Sequence, residues 1–96
     1  MDRPLRYIVC YDVTATRRRT RLAVCLDGFG DRVQKSVFEA VLDAGLFDKM
    51  VSEITAVISP TQDSVLIYPL CANCAGKVLR LGVEGPVPGE EQVFVV

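Results

Sequence analysis

"LRYIVCYD", residues 5–12, is the stretch on which the fold turns. Its middle is apolar on both faces, the mark of a strand inside a sheet that helices cover on at least one side. It ends on a single carboxylate, Asp12, and the chain then runs through "VTAT" into Arg17, Arg18, Arg19 and Arg21. Thr14 or Thr16 can cap a helix at that point. Leu22, Cys25, Leu26 and Phe29 follow at i, i+3, i+4 and i+7, an apolar stripe that fits a helix lying on the sheet and stopping near Gly28 to Gly30.

Further on, "RVQKSVFEAVL", residues 32–42, is rich in β-branched and aromatic residues and predicts one strand, or two short strands bending near Ser36. Asp43 can cap a second helix, with Phe47, Met50, Val51, Ile54 and Ile58 on one stripe and Asp48, Lys49, Ser52 and Glu53 outside it. Ser59-Pro60 ends that helix. "SVLIYPL", residues 64–70, predicts another strand, and Pro69 places it at an edge or a strand end. "KVLRLG", residues 77–82, offers a short last strand.

The expected class is therefore α+β: a ferredoxin-like βαββαβ unit with an extra C-terminal strand and two helices on one face of an antiparallel sheet. Residues 1–82 form that domain in this reading. Residues 83–96 supply a Pro/Gly linker and an apolar terminal segment, "QVFVV", that needs a sheet edge in its own or a partner's chain.

Bulk properties narrow the function. A chain of 96 residues makes one domain, which at that size buries roughly 60 to 65% of its unfolded surface, so association would help it. Half the residues are apolar, which excludes a disordered chain. No apolar run approaches the roughly 18 to 20 residues of a membrane span, and the N-terminus lacks a secretory profile. A soluble, cytoplasmic protein is expected, with no membrane partner.

The net charge of −1 conceals an asymmetry. Up to residue 36 there are eight cations against four acids, and beyond it three against eight. Seven of the first eight cations are arginine, whose planar fork suits phosphate oxygens. A basic face is thus available to a polyanion.

Four cysteines are present and no histidine. Cys10, in the first strand, and Cys25, on the helix stripe, are expected to be buried small hydrophobes. Cys71 and Cys74 form one C-x-x-C, "CANC", and a zinc site within one chain would need a second ligand pair that is missing. A redox role is a further alternative, and a turn with incidental thiols is the simpler expectation.

Arginines in the first turns of a helix oppose the macrodipole at a few tenths of a kcal/mol each. An anion there, either the Asp12 carboxylate or a bound phosphate, would relieve the conflict, and so would a solvated arginine face on a helix that starts late. Asp12 can be a local turn cap. It can also be one ligand of a hydrated Mg²⁺, with a second copy facing it across a twofold axis and arginines holding a phosphodiester. No histidine base, nucleophile elbow or Walker loop offers another chemistry.

"YDVT" after an apolar strand, arginines at the next helix start, "RVQKSVFE" about twenty residues on and "DSVLIYPL" further along together resemble the CRISPR-associated protein 2 family, over nearly the whole chain to about Gly82. The resemblance implies a ferredoxin-like homodimer that acts in spacer acquisition beside the CRISPR-associated protein 1 integrase. It also implies a Mg²⁺-dependent endonuclease on RNA or DNA, with double-stranded DNA and single-stranded RNA as candidate partners. Carried over by position, Asp12 is the catalytic and metal-binding residue, with Tyr11 beside it. Arg17, Arg19, Arg21, Arg32, Ser36 and Phe38 are supporting or nucleic-acid-binding positions. The alternative is a non-catalytic scaffold that clamps DNA, and a third reading is a ferredoxin-like regulatory or toxin-like module.

Overall fold

The computed structural model describes residues 3–79 and 81–82. Four strands and two long helices alternate: β1 (Leu5–Asp12), α1 (Thr16–Asp27), β2 (Gly30–Gln34), β3 (Val37–Leu42), α2 (Ala44–Val57) and β4 (Ser64–Leu70), followed by a single turn of helix, α3 (Ala72–Ala75). The sheet order is β2-β3-β1-β4 and every neighbouring pair is antiparallel. This is the expected ferredoxin-like βαββαβ arrangement.

β1 is central because both of its edges are paired: Val9 stands opposite Phe38 on one side and Ile67 on the other. Side chains alternate across a strand, so Tyr7, Val9 and Tyr11 turn toward the helices while Arg6, Ile8, Cys10 and Asp12 share the opposite face. The core takes Val9 and Tyr11 from β1, Phe38, Ala40 and Leu42 from β3, Leu22 and Leu26 from α1, and Met50 and Ile54 from α2. Phe38, Leu22, Leu26, Met50 and Val9 are wholly enclosed, each contributing about 1.5–3 kcal/mol of apolar burial. Tyr7 and Phe47, with ring centroids 4.7 Å apart, extend this layer toward the end of the sheet.

The 32–42 segment is two strands, with the turn at Lys35 and Ser36 and a register shift between Arg32 and Gln34 that bends β2. Gly30 opens β2 because nothing larger fits: a Cβ there would sit on the Glu39 carbonyl oxygen and 2.8 Å from the Ala40 Cα. Asp43 caps α2 as expected, accepting the Leu46 N–H at 2.8 Å. Among the described residues β4 is an edge strand, which accommodates Pro69.

Some expectations require correction. The N-cap of α1 is Ala15, with no capping side chain; neither threonine takes that position. Thr16 is already helical, and its hydroxyl is engaged by Arg19 instead. "CANC" is not a loose turn but α3, with Cys71 as its N-cap. The described part of "KVLRLG" forms no strand, since Lys77 to Leu79 leave the helical turn as irregular chain. Cys10 and Cys25 are half-buried, not core. Burial and Glu53 push the Cys25 thiol up, so it stays protonated, donating weakly to Glu53 Oε1 at 3.8 Å. The described residues end at Gly82, the expected domain limit, and the terminal segment 83–96 lies outside them. No helix of the described residues is long and apolar enough to cross a membrane.

Candidate nucleic-acid cleavage site

β1 delivers Asp12 to the end of the sheet face turned away from α1 and α2, opposite Ser64 of β4 and exposed to solvent. Asp12, Val13, Thr14, Arg19, Lys35 and Ser36 border one cavity of about 420 Å³. Three segments build it: the end of β1, the β1–α1 loop with the first turn of α1, and the β2–β3 turn. Two contacts hold that turn to β1, because Tyr11 N–H donates to Ser36 O at 3.1 Å and Tyr11 Oη donates to Lys35 O at 3.4 Å.

Arg19 ties the loop together. Its guanidinium donates to Val13 O and Thr14 O, each at 3.1 Å, and to Thr16 Oγ1 at 3.3 Å. Arg18 turns the other way: Nε donates to Asp63 Oδ2 at 2.7 Å, and Nη2 reaches Gln62 Oε1 at 3.1 Å. The hydrogen bond from Arg18, with the Ser59 amide, holds the Asp63 carboxyl below its usual range. The arginine run is therefore answered from two sides, by loop carbonyls and by a carboxylate 45 positions away. Arg17 and Arg21 are exposed on α1.

Of the predicted site residues, Asp12, Arg19 and Ser36 meet at this cavity. Tyr11 and Phe38 do not, being core side chains with centroids 6.2 Å apart that act through packing and through the Lys35 carbonyl. Arg32 is exposed on edge strand β2, its guanidinium carbon 5.3 Å from the Phe38 ring centroid, a cation–π contact. Lys35 was not singled out by sequence reasoning, and Thr14 was named only as a candidate helix cap. Both stand inside the "YDVT" and "RVQKSVFE" stretches, but neither has a local pattern that marks it as a cavity residue.

Among the described residues Asp12 is the one acidic side chain bordering the cavity. No group of three or more His, Cys, Asp or Glu side chains among the described residues could hold a metal. Mg²⁺ keeps most of its waters and asks for one or two carboxylates, so this donor set fits a hydrated Mg²⁺ when a second copy brings the second carboxylate. The face bearing Asp12 is suited to such pairing. It carries Val41, Leu66 and Tyr68 at 50%, 54% and 52% exposure, with Ile8 and Cys10 between the flanking strands.

The model of the CRISPR associated protein Cas2 family matches residues 5–78. The chain belongs to the Cas2 family. A Rhodospirillum rubrum relative named CRISPR-associated endoribonuclease Cas2 4 is 45% identical over 91 residues, which cover 95% of this chain and 73% of that protein. The crystal structure of Streptococcus pyogenes Cas2 at pH 6.5 superposes with a TM-score of 0.76 at 30% identity, covering 81% of this chain and all of that one. A chain of a partial Cas6-RT-Cas1–Cas2 complex has the same fold, with a TM-score of 0.70 at 22% identity over 100% of this chain and 99% of its own. The Cas2 match contains every residue of the cavity, from Asp12 to Ser36.

Proposed function

We propose that this Cas2-family chain is a Mg²⁺-dependent endonuclease that hydrolyses phosphodiester bonds of RNA or DNA, and that as a homodimer it bridges a spacer-acquisition complex with the Cas1 integrase. The observation that carries the reading is the position of Asp12, a solvent-facing carboxylate beside Arg19 and Lys35 at the end of the apolar sheet face turned away from α1 and α2. A twofold axis passing beside the Asp12 end of this face would bring the two Asp12 side chains into one site. Asp12 and its counterpart would hold Mg²⁺, which when bound supplies Lewis-acid activation of water at neutral pH. Lys35 adds positive charge for the phosphodiester, and Arg19 keeps the backbone from Val13 to Thr16 in place around it. The endoribonuclease name of the Rhodospirillum rubrum relative supports phosphodiester chemistry.

The test is cleavage of labelled double-stranded DNA and single-stranded RNA by the purified chain with Mg²⁺ and with EDTA, for wild type and Asp12→Asn side by side. Metal-dependent cleavage that disappears in Asp12→Asn, with the dimer intact, is the expected result and names the substrate. Equal activity in both proteins refutes the role of Asp12.

A second reading is favoured by one observation: Arg17, Arg21 and Arg32 are exposed outside the cavity, where they can bind backbone without serving hydrolysis. In this reading the chain is a non-catalytic clamp on duplex DNA. It expects no cleavage by either protein, DNA binding retained, and acquisition unaffected by Asp12→Asn.

A further inference from the structure

At the far end of β1 from Asp12, about 23 Å along the strand, lies a pair of side chains that nucleic-acid chemistry does not use. Cys71 and Cys74 are both free and exposed. Cys71 caps α3 and its Sγ accepts the Cys74 N–H at 3.4 Å. Their i, i+3 spacing on one helical turn sets the Cα atoms about 5 Å apart, inside the roughly 4.4–6.8 Å that a disulfide spans.

Cys71 also borders a cavity of about 470 Å³ whose other walls include Arg3, Arg6, Leu5, Val41 and Leu70. Arg6 is paired with Glu39, while Arg3 is exposed on the rim. The Cys74 amide and thiol hold the Cys71 thiol below its ordinary range, and the Cys71 sulfur pushes Cys74 up. Cys71 borders the cavity while Cys74, whose N–H it accepts, is not among the cavity walls, so Cys71 is the sulfur that meets an incoming disulfide and Cys74 the one placed to resolve it.

We propose that Cys71 and Cys74 form a dithiol exchange site for small acidic disulfides, with Arg3 drawing their carboxylates into the adjoining cavity. The Cys71 thiolate attacks one sulfur of the incoming disulfide, breaking its S–S bond and expelling one small thiolate. A mixed disulfide is left on Cys71. Cys74 then loses its proton to solvent and attacks Cys71 Sγ, expelling the second small thiolate, which takes up a proton. The chain is oxidised by two electrons to the Cys71–Cys74 disulfide, and one small disulfide is reduced to two thiols. This site is separate from the Asp12 cavity and does not depend on nuclease activity.

The experiment is incubation of the full chain, under argon, with oxidised glutathione or with cystamine, its cationic counterpart, followed by thiol titration and peptide mass spectrometry. Wild type is expected to fall from four free thiols to two, with 71 and 74 joined and no stable adduct. Cys74→Ser is expected to accumulate one glutathione on Cys71, and Cys71→Ser to react at least about tenfold more slowly. Arg3→Glu is expected to slow oxidised glutathione and to speed cystamine. Glutathione appearing first on Cys10 or Cys25, or separately on both 71 and 74 without an internal bond, overturns the site. Arg3→Glu rates equal to wild type with both reagents overturn the recognition of acidic disulfides.

Discussion

Arg18 and Asp63 join the first turn of α1 to the end of the loop that enters β4, with Arg18 Nε 2.7 Å from Asp63 Oδ2. The same carboxylate oxygen accepts the Ser59 N–H at 2.7 Å, and the Asp63 side chain is wholly shielded from solvent. Asp63 thus fixes two things at once: the exit from α2 and the start of the strand opposite Asp12.

Because the Asp63 carboxyl is held below its ordinary range, the unfolded chain binds the proton more readily than the folded one. The linked stability is present above the unfolded carboxylate pKa of about 3.9 and is lost as pH falls from there through the folded value. Urea midpoints measured from neutral pH down through this window should fall, and Asp63→Asn should be less stable at neutral pH with a flatter acid limb. An unchanged acid limb would show that other carboxylates govern it.

Gly30→Ala should destabilise the β2–β3 pair, since the new Cβ meets the Glu39 carbonyl and the Ala40 Cα. The expected cost is about 1–3 kcal/mol, read as a lower urea midpoint at unchanged slope. A neutral result would mean that β2 shifts away from β3 without loss.

Asp43→Ala removes the acceptor for the Leu46 N–H. It should cost about 1 kcal/mol, and Asp43→Asn should recover most of that in chemical denaturation.

Leu66→Asp places a charge at a position that is 54% exposed in the single chain. Its fold should therefore survive while the proposed dimer is lost, giving a monomer mass in sedimentation equilibrium at concentrations where wild type is dimeric. Persistence of the dimer would assign the interface to another surface.

Arg17→Ala and Arg21→Ala should weaken duplex binding alike across sequences. Each should lower the magnitude of the log K against log salt slope by about 1. Arg19→Ala should differ, because its guanidinium is spent on Val13 O and Thr14 O; its loss should disturb cleavage more than the salt slope.

Much of this architecture is legible in local chemistry. β1 reads as central from its two-sided apolar middle, α2 from Asp43 and its stripe, and the edge position of β4 from Pro69. The start of α1 was not legible because two plausible threonine caps precede it, and the observed N-cap, Ala15, has no side chain that could mark it. "KVLRLG" has strand composition, but the short helix before it takes the chain out of the sheet. The Asp12 cavity was half legible. Asp12 and Ser36 could be named from their motifs, whereas Lys35, in the same motif as Ser36, reaches the cavity because the Tyr11 backbone and hydroxyl anchor the β2–β3 turn. The partner of Arg18 is 45 positions distant, a pairing that no local pattern encodes.

Tyr11 and Asp12 are successive residues facing opposite sides of a strand that is paired along both edges. Sliding β1 by one residue would put the carboxylate into the core and the phenol at the cavity, so a partly misregistered chain cannot present a working site. Opening β1 requires breaking two ladders, which makes it the segment expected to exchange its amide hydrogens last. The carboxylate is thus carried by the slowest-opening part of the molecule, and its placement is as durable as the native state itself.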